Sequence, residues 1–251
     1  MQVSKTLLAG KTALVTGAGR GIGKAIATGF GDAGTAVACV ARSEPQIKAT
    51  AAQIVAYGGR AQAIPTDVTE LSAVEAMFDR LHNVFGRLDI LVINAGGNLE
   101  REPVETSSPG IWGDTLLLNL TSAYYCAKTA IPYMKEYGGS IITLGSGRGH
   151  RPQTEVSAYS CAKAGLSMLT RVLAEELNVY KISVNELIPG PVLTEGFRES
   201  VPEEQMPDLF TDAEWFKEPE DVLPLALFLA SQKPGEGPTG QCFSLTRRDA
   251  V

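Results

Sequence analysis

The sequence predicts an α/β fold in which about seven strands form one parallel, doubly wound sheet with helices on both faces. Three observations carry that expectation. Short β-prone apolar runs alternate with longer helical stretches along most of the chain. The first of these runs passes through a glycine-rich turn straight into a helical pattern. The 251 residues, 44% of them hydrophobic, can bury one large core, so residues 1–251 read as a single domain.

Taken in order, residues 12–16 (TALVT) form the first buried strand, and Gly17-Ala18-Gly19-Arg20-Gly21-Ile22-Gly23 leads into a helix over 24–32. Glycines at such a turn let a backbone approach phosphate oxygens at a helix N-terminus. The spacing departs from strict G-x-G-x-x-G because Ile22 occupies the place of the last glycine. By itself the segment fits a nucleotide loop and an ordinary glycine-rich turn equally well. Strands follow at 35–41, 61–65 and 90–94, separated by helices at 45–57 and 71–85. A long helical stretch covers 112–137, with Asn119 in its middle. Asparagine is a poor helix-interior residue because its side chain competes for backbone hydrogen bonds, so its presence there needs a reason. A strand at 140–144, a helix at 159–177, a strand at 183–187, a helix at 219–230 and a strand at 241–245 complete the pattern. No repeat or low-complexity segment interrupts it.

Ligands on such sheets bind at the carboxyl ends of the strands, which makes those ends the candidate site. After the second strand the chain reads Ala41-Arg42-Ser43, with no carboxylate to hold an adenosine ribose. Arg42 together with Arg20 suits a ribose carrying a 2′-phosphate, and so NADP(H) ahead of NAD(H), unless both arginines are simply solvated at loop edges. Asp67-Val68 after the third strand fits a place near an adenine, and Asp67 fits equally a helix N-cap region. Asn94-Ala95-Gly96 after the fourth is a small-residue turn open to a ligand. Ser146 follows the fifth strand, and Tyr159 and Lys163 are one helical turn apart on one face. A hydroxyl, a phenol and an ammonium in one place can move a proton on or off a carbonyl or alcohol oxygen. A free tyrosine ionises near ~10, and a lysine cation beside it favours the phenolate.

The net charge of −6 and the absence of a basic cluster exclude a nucleic-acid surface. No apolar run is long enough for a membrane span, and the N-terminus carries no signal-peptide pattern, which together predict a soluble, cytoplasmic protein. Cys39, Cys126, Cys161 and Cys242 are scattered in apolar or helical settings and read as buried thiols. His82 and His150 share no metal-ligand spacing with them, so no metal is expected.

These motifs, in this order, resemble the short-chain dehydrogenase/reductase family, in its single-domain branch that includes 3-oxoacyl-[acyl-carrier-protein] reductases. The resemblance covers nearly the whole chain: Thr16-Gly17-x-x-x-Gly21-Ile22-Gly23, Asn94-Ala95-Gly96, Tyr159-x-x-x-Lys163 and Pro189-Gly190-x-x-x-Thr194 all stand at family spacing. It implies a Rossmann-type fold, a catalytic tetrad of Asn119, Ser146, Tyr159 and Lys163, and hydride transfer between NADP(H) and a ketone or secondary alcohol. Tyr159 would act as acid/base, Ser146 would hold the substrate oxygen, Lys163 would lower the tyrosine pKa and bind the nicotinamide ribose, and Asn119 would hold a water through its backbone carbonyl. Gly17, Gly19, Arg20, Gly21, Ile22, Gly23, Arg42, Asp67, Val68, Asn94, Ala95 and Gly96 would line the cofactor, with Pro189, Gly190, Val192 and Thr194 at its nicotinamide end. Thr194 fits an ordinary turn as well, and His150 and Arg151 fit either the substrate pocket or a solvated loop. A homotetramer, or a homodimer, is the implied assembly.

Residues 192–216 read as a lid over the substrate, bounded by prolines and carrying Phe197, Phe210, Trp215 and Phe216. Glu195, Glu199, Glu203, Glu204, Asp208, Asp212 and Glu214 make it acidic, which repels an acidic carrier protein, while its aromatic side chains suggest an apolar or cyclic ketone. The alternatives are a 3-oxoacyl-carrier-protein or CoA reductase, an NAD-dependent alcohol dehydrogenase, and a non-catalytic NADP(H)-binding sensor or scaffold. The chain also departs from its relatives after Gln241, reading Cys242-Phe243-Ser244-Leu245-Thr246-Arg247-Arg248-Asp249.

Overall fold

A computed structural model describes residue 4, residues 6–200 and residues 216–246, without the side chains of 199 and 200. Phe210, Trp215, the lid acids from Glu203 to Glu214 and the terminal Arg247, Arg248 and Asp249 lie outside the described residues. Among these residues the strands are β1 (Thr12–Thr16), β2 (Ala36–Ala41), β3 (Arg60–Pro65), β4 (Ile90–Ile93), β5 (Gly139–Leu144), β6 (Ile182–Ile188) and β7 (Cys242–Ser244). They form one sheet in the order β3-β2-β1-β4-β5-β6-β7, with every neighbouring pair parallel. The chain runs outward from β1 to β3 and then returns to place β4 on the other side of β1. That reversal opens a crevice at the carboxyl ends of β1 and β4, where doubly wound sheets bind ligands.

The helices are α1 (Gly21–Asp32), α2 (Glu44–Ala56), α3 (Leu71–Phe85), α4 (Pro109–Leu116), α5 (Ser122–Met134), α6 (Ser157–Leu177), α7 (Glu195–Ser200) and α8 (Leu223–Ser231). They cover two faces because β1 sends alternate side chains to each. Ala13 and Val15 join Ile26 and Phe30 of α1, Ile47 and Ile54 of α2, and Leu227 of α8. Leu14 faces the other way, onto Phe78 of α3, Met134 of α5 and Leu166 of α6. In α3 the buried residues Val74, Met77, Phe78 and Leu81 make one apolar stripe, and Gly86 ends the helix in the left-handed region at φ 79°. Phe78 is fully buried and stacked on Tyr133 at 5.8 Å, so truncation to alanine would cost about 3–5 kcal/mol.

The expected helix over 112–137 is in fact three pieces. Pro109 at the first turn and the Ser108 hydroxyl, which accepts from the Ile111 amide, start α4 earlier than the apolar pattern suggested. A π-helical turn, Leu117–Thr121, then separates α4 from α5 and contains Asn119. The last expected helix likewise divides, into a 3₁₀ turn at Pro219–Val222 and α8. Two of the four cysteines also differ from expectation. Cys39 and Cys126 are buried, which pushes each thiol up to about 12, whereas Cys161 and Cys242 are exposed on a helix face and on the edge strand β7.

Candidate functional site

The end of β1 is tied to the end of β4 by side chains that the fold brings together from far apart in sequence. Thr16 Oγ1 accepts the backbone N–H groups of Asn94 (2.9 Å) and Ala95 (3.0 Å), and it donates to the Val92 carbonyl at 3.3 Å. Asn94 Nδ2 returns a hydrogen bond to the Thr16 carbonyl at 2.9 Å. This clasp leaves no room above the glycine turn: a Cβ on Gly23 would collide with the Gly17 carbonyl oxygen and the Asn94 amide. Gly17 and Gly21 adopt φ of 67° and 53°, where a side chain is strained. Gly19 closes against Gln46 of α2, while Ile22, the second residue of α1, packs against the core.

The amino end of α1 therefore points into the crevice with Arg20 as its cap residue and no side-chain cap of its own. The Gly21 N–H donates instead to the Glu195 carboxylate of α7, at 3.1 Å. A carboxylate at that position is an oxygen anion received by a helix N-terminus, which is the chemistry a pyrophosphate requires. The glycine cradle and this anion-accepting end together fit a dinucleotide. Arg20 lies against the start of α7, its guanidinium 3.3 Å from where a Cβ on Gly196 would be. Thr194 touches Gly21 and caps α7 by accepting the Phe197 N–H at 3.1 Å.

Not every expected cofactor residue faces the crevice. Val68 is buried in the core cluster below the sheet ends. Asp67 holds its own turn, accepting from the Thr69 N–H (3.0 Å) and hydroxyl (2.7 Å). Burial would raise its carboxyl, but the two Thr69 hydrogen bonds and the nearby Arg42 charge hold it below the usual range. Arg42 is exposed just beyond β2. Pro189 is buried behind β6, Gly190 approaches Lys217 Nζ and Thr246, and Val192 bridges Lys217.

Asn119 is nearly fully buried, and its side chain explains its place in a helix. Its Nδ2 donates to the Gly97 carbonyl at 2.7 Å while its Oδ1 accepts the Gly97 N–H at 3.0 Å, so one amide pairs both ways with the β4 turn. Nδ2 also donates to the Thr115 carbonyl at 2.9 Å. Turning the asparagine out toward Gly97 accompanies the π distortion, a geometry that recurs at functional sites. Gly96 must be a glycine here, since a Cβ would lie 2.6 Å from Asn119 Oδ1 and 3.5 Å from Lys163 Nζ.

Ser146 stands at the carboxyl end of β5 and caps a 3₁₀ turn, its Oγ accepting the Arg148 N–H at 3.2 Å. The turn lies so close to α6 that a Cβ on Gly149 would sit 2.7 Å from the Lys163 carbonyl carbon. That contact brings Ser146 close enough to Tyr159 for its side chain to act on the phenol. Lys163 Nζ is buried 5.6 Å from the Tyr159 ring centre and donates to the Leu144 carbonyl at 2.7 Å. Burial lowers the Lys163 ammonium from 10.5 to about 8, with the Glu186 charge opposing. The phenol differs from the sequence expectation. Burial raises Tyr159 above its ordinary value, against the Ser146 hydrogen bond and the Arg148 charge, because the lysine turns its ammonium to Leu144.

The fold also brings together a histidine and a cysteine that share no metal-ligand spacing in the sequence. His150 Nε2 lies 4.0 Å from Cys242 Sγ and 3.1 Å from the buried Glu186 carboxylate. Glu186, a carboxylate inside the wholly buried strand β6, is the residue in the sequence that points to this cluster.

The fold and this crevice define a class: a doubly wound α/β protein with a glycine cradle suited to a dinucleotide and a serine, a tyrosine and a lysine gathered at the same strand ends. The chain belongs to the short chain dehydrogenase family, whose family model matches residues 11–205. It is an oxidoreductase of that family, acting between alcohol and ketone. Over 194 residues it is 39% identical to the short chain dehydrogenase/reductase astE of Aspergillus oryzae, covering 76% of this chain and 74% of that one. Over 229 residues it is 33% identical to the 3-oxoacyl-[acyl-carrier-protein] reductase FabG of Haemophilus influenzae, covering 90% and 93%. A crystal structure of a short-chain type dehydrogenase/reductase from Mycobacterium marinum superposes with a TM-score of 0.84 at 31% identity, covering 96% of each chain. Among the described residues no helix is long and apolar enough to cross a membrane.

Proposed function

We propose that this protein transfers hydride between NADP(H) and a ketone or secondary alcohol, with ketone reduction as the working direction and Tyr159 as acid/base. The observation that carries the proposal is the convergence of Ser146, Tyr159 and the Lys163 ammonium, 5.6 Å from the Tyr159 ring centre, with that ammonium bordering Gly96 of the cofactor turn. The glycine turn, the anion-accepting end of α1 and Asn94 would hold the dinucleotide, and the nicotinamide supplies the hydride when bound. A phenol is protonated at neutral pH and burial favours that form further, so Tyr159 is ready to give its proton to a carbonyl oxygen. Ser146 Oγ would hold the same oxygen and stabilise the charge that develops on it. The Lys163 ammonium would then favour the phenolate left behind. Asn119 is a positioning residue, fixing Gly96 and Gly97 against that lysine.

The 2′-phosphate preference is supported by Arg42 at the end of β2, where no carboxylate stands. Asp67 partly offsets that charge and is the observation favouring NAD(H) as second reading. Glu195 at the start of α7 weighs against an acidic carrier-protein substrate, and the aromatic side chains of the lid favour an apolar or cyclic ketone. The proposed assembly is a homotetramer, with a homodimer as its alternative. Purified protein given NADPH and a panel of ketones is expected to consume the reduced cofactor. Tyr159→Phe is expected to abolish turnover while leaving NADPH binding intact. Turnover retained in that variant would overturn the mechanism, and tight NADPH binding with no turnover on any ketone or alcohol would instead mark a non-catalytic binder.

A further inference from the structure

We propose that His150, Glu186 and Cys242 form a binding site for zinc or a similar thiophilic divalent cation, separate from the Tyr159 site. Their ligand atoms lie within 4.8 Å of one another. His150 Nε2 stands 3.2 and 3.1 Å from the two Glu186 oxygens and 4.0 Å from Cys242 Sγ. Zinc bonds of about 2.0–2.3 Å to nitrogen, oxygen and sulfur in a tetrahedron put neighbouring ligand atoms about 3.3–3.7 Å apart. The two pairs made by the imidazole are within about half an ångström of those separations, and the Glu186–Cys242 pair, within 4.8 Å, closes by a side-chain adjustment of about an ångström.

The fold builds this arrangement rather than leaving it to chance. Glu186 and Cys242 are direct cross-strand partners in the parallel β6–β7 pair, so both side chains leave the same face. The Glu186 N–H donates to the Gln241 carbonyl at 2.9 Å, which locks the register beside Cys242. Glu186 fits only because residue 145 is glycine: a Cβ there would collide with Oε1. Ser167 Oγ donates to Glu186 Oε2 at 2.9 Å, supporting the carboxylate from behind as second partners of metal ligands do. A cavity of about 280 Å³ opens beside the three residues, also lined by Ser167, Thr170 and Gln241, with room for the water that completes a three-ligand site.

The donor set fits the ion. A thiolate and a carboxylate supply two negative charges, and a neutral imidazole adds none. The mixture of sulfur, nitrogen and oxygen favours zinc over magnesium or calcium. Arg171 at the cavity rim is exposed, so solvent screens its charge. A cysteine–histidine–glutamate proton relay is the competing use of the same residues, but it needs the thiol and the carboxylate on opposite ring nitrogens. Here both face Nε2, which is how groups stand around a common ion. Because His150 follows Ser146 by one short turn, a bound ion would fasten the serine loop to the last strand of the sheet.

The test uses the full chain, reduced, stripped with a chelator and freed of it. Titration with Co²⁺ is expected to give a sulfur-to-cobalt charge-transfer band in the near ultraviolet that saturates at one equivalent and disappears on adding Zn²⁺. Cys242→Ser is expected to abolish the band and weaken Zn²⁺ binding by at least about tenfold, and His150→Gln to weaken it comparably. Cys161→Ser, which alters the other exposed thiol, is expected to leave the band unchanged. Zn²⁺ is also expected to raise the unfolding temperature of the unaltered chain and not that of Cys242→Ser. No band at one equivalent, or a band that survives Cys242→Ser, would overturn the proposal. None of these readouts depends on NADPH or a ketone, so the site stands or falls apart from the proposed reaction.

Discussion

Replacing Lys163 with methionine should remove a pH dependence that the structure assigns to this one side chain. The residue is 4% exposed, and burial lowers its ammonium from 10.5 to about 8. A lysine whose folded pKa lies below its unfolded one is penalised while charged. Between about 8 and 10.5 the folded chain therefore holds fewer protons than the unfolded chain, and stability rises with pH across that window. The gap corresponds to about 3 kcal/mol. Cys39 and Cys126 have raised values and act in the opposite sense at alkaline pH, but they are common to both proteins and cancel in the difference. Urea unfolding followed by circular dichroism, at a series of pH values for the unaltered chain and Lys163→Met, gives that difference directly. The unaltered chain is expected to gain about 3 kcal/mol on the variant between neutral pH and the upper end of the window. Parallel curves would show that the ammonium is not penalised and that its pairing with Leu144 and Glu186 offsets its burial.

Glu195→Gln should tighten NADPH binding by about two- to fivefold, since a carboxylate at an exposed helix N-terminus contributes about 0.3–1 kcal/mol that the cofactor must displace. Unchanged or weaker binding by fluorescence titration would mean that the two do not compete for Gly21. Arg42→Ala should weaken NADPH far more than NADH, and equal losses would show that the end of β2 does not read the 2′-phosphate. Gly23→Ala should destabilise the fold by about 1–3 kcal/mol in chemical denaturation and weaken both cofactors, because the added methyl meets backbone at Gly17. A variant with native stability and affinity would disprove the close packing described there.

The strands and the order of motifs were legible because their signals are local. Apolar runs such as TALVT and ILVI are bounded by turn residues, and Tyr159 and Lys163 are adjacent on one helix. Asn119 was legible as an anomaly, but its partner Gly97 was not, since an amide pairing across 22 residues leaves no periodic trace. The raised Tyr159 phenol was misjudged for a related reason: sequence shows that a lysine is near, not where its ammonium turns. His150 and Cys242 are 92 residues apart and meet only through the β6–β7 register, which no spacing rule anticipates. Helix ends moved by a few residues wherever a cap outside the apolar pattern, such as Ser108, decided the start.

The Thr16–Asn94 clasp also has a consequence for how the chain is made. Its hydrogen bonds span 78 residues, and β1 has β2 on one side but must wait for β4 on the other. At synthesis rates of about 5–20 residues per second, that wait lasts roughly 4–16 s. Throughout it the nascent chain presents an apolar strand edge to its surroundings, the kind of edge that pairs with other chains. The nucleotide cradle is thus finished late, and a ribosome-bound intermediate ending before Ile90 is the form of this protein most in need of a chaperone.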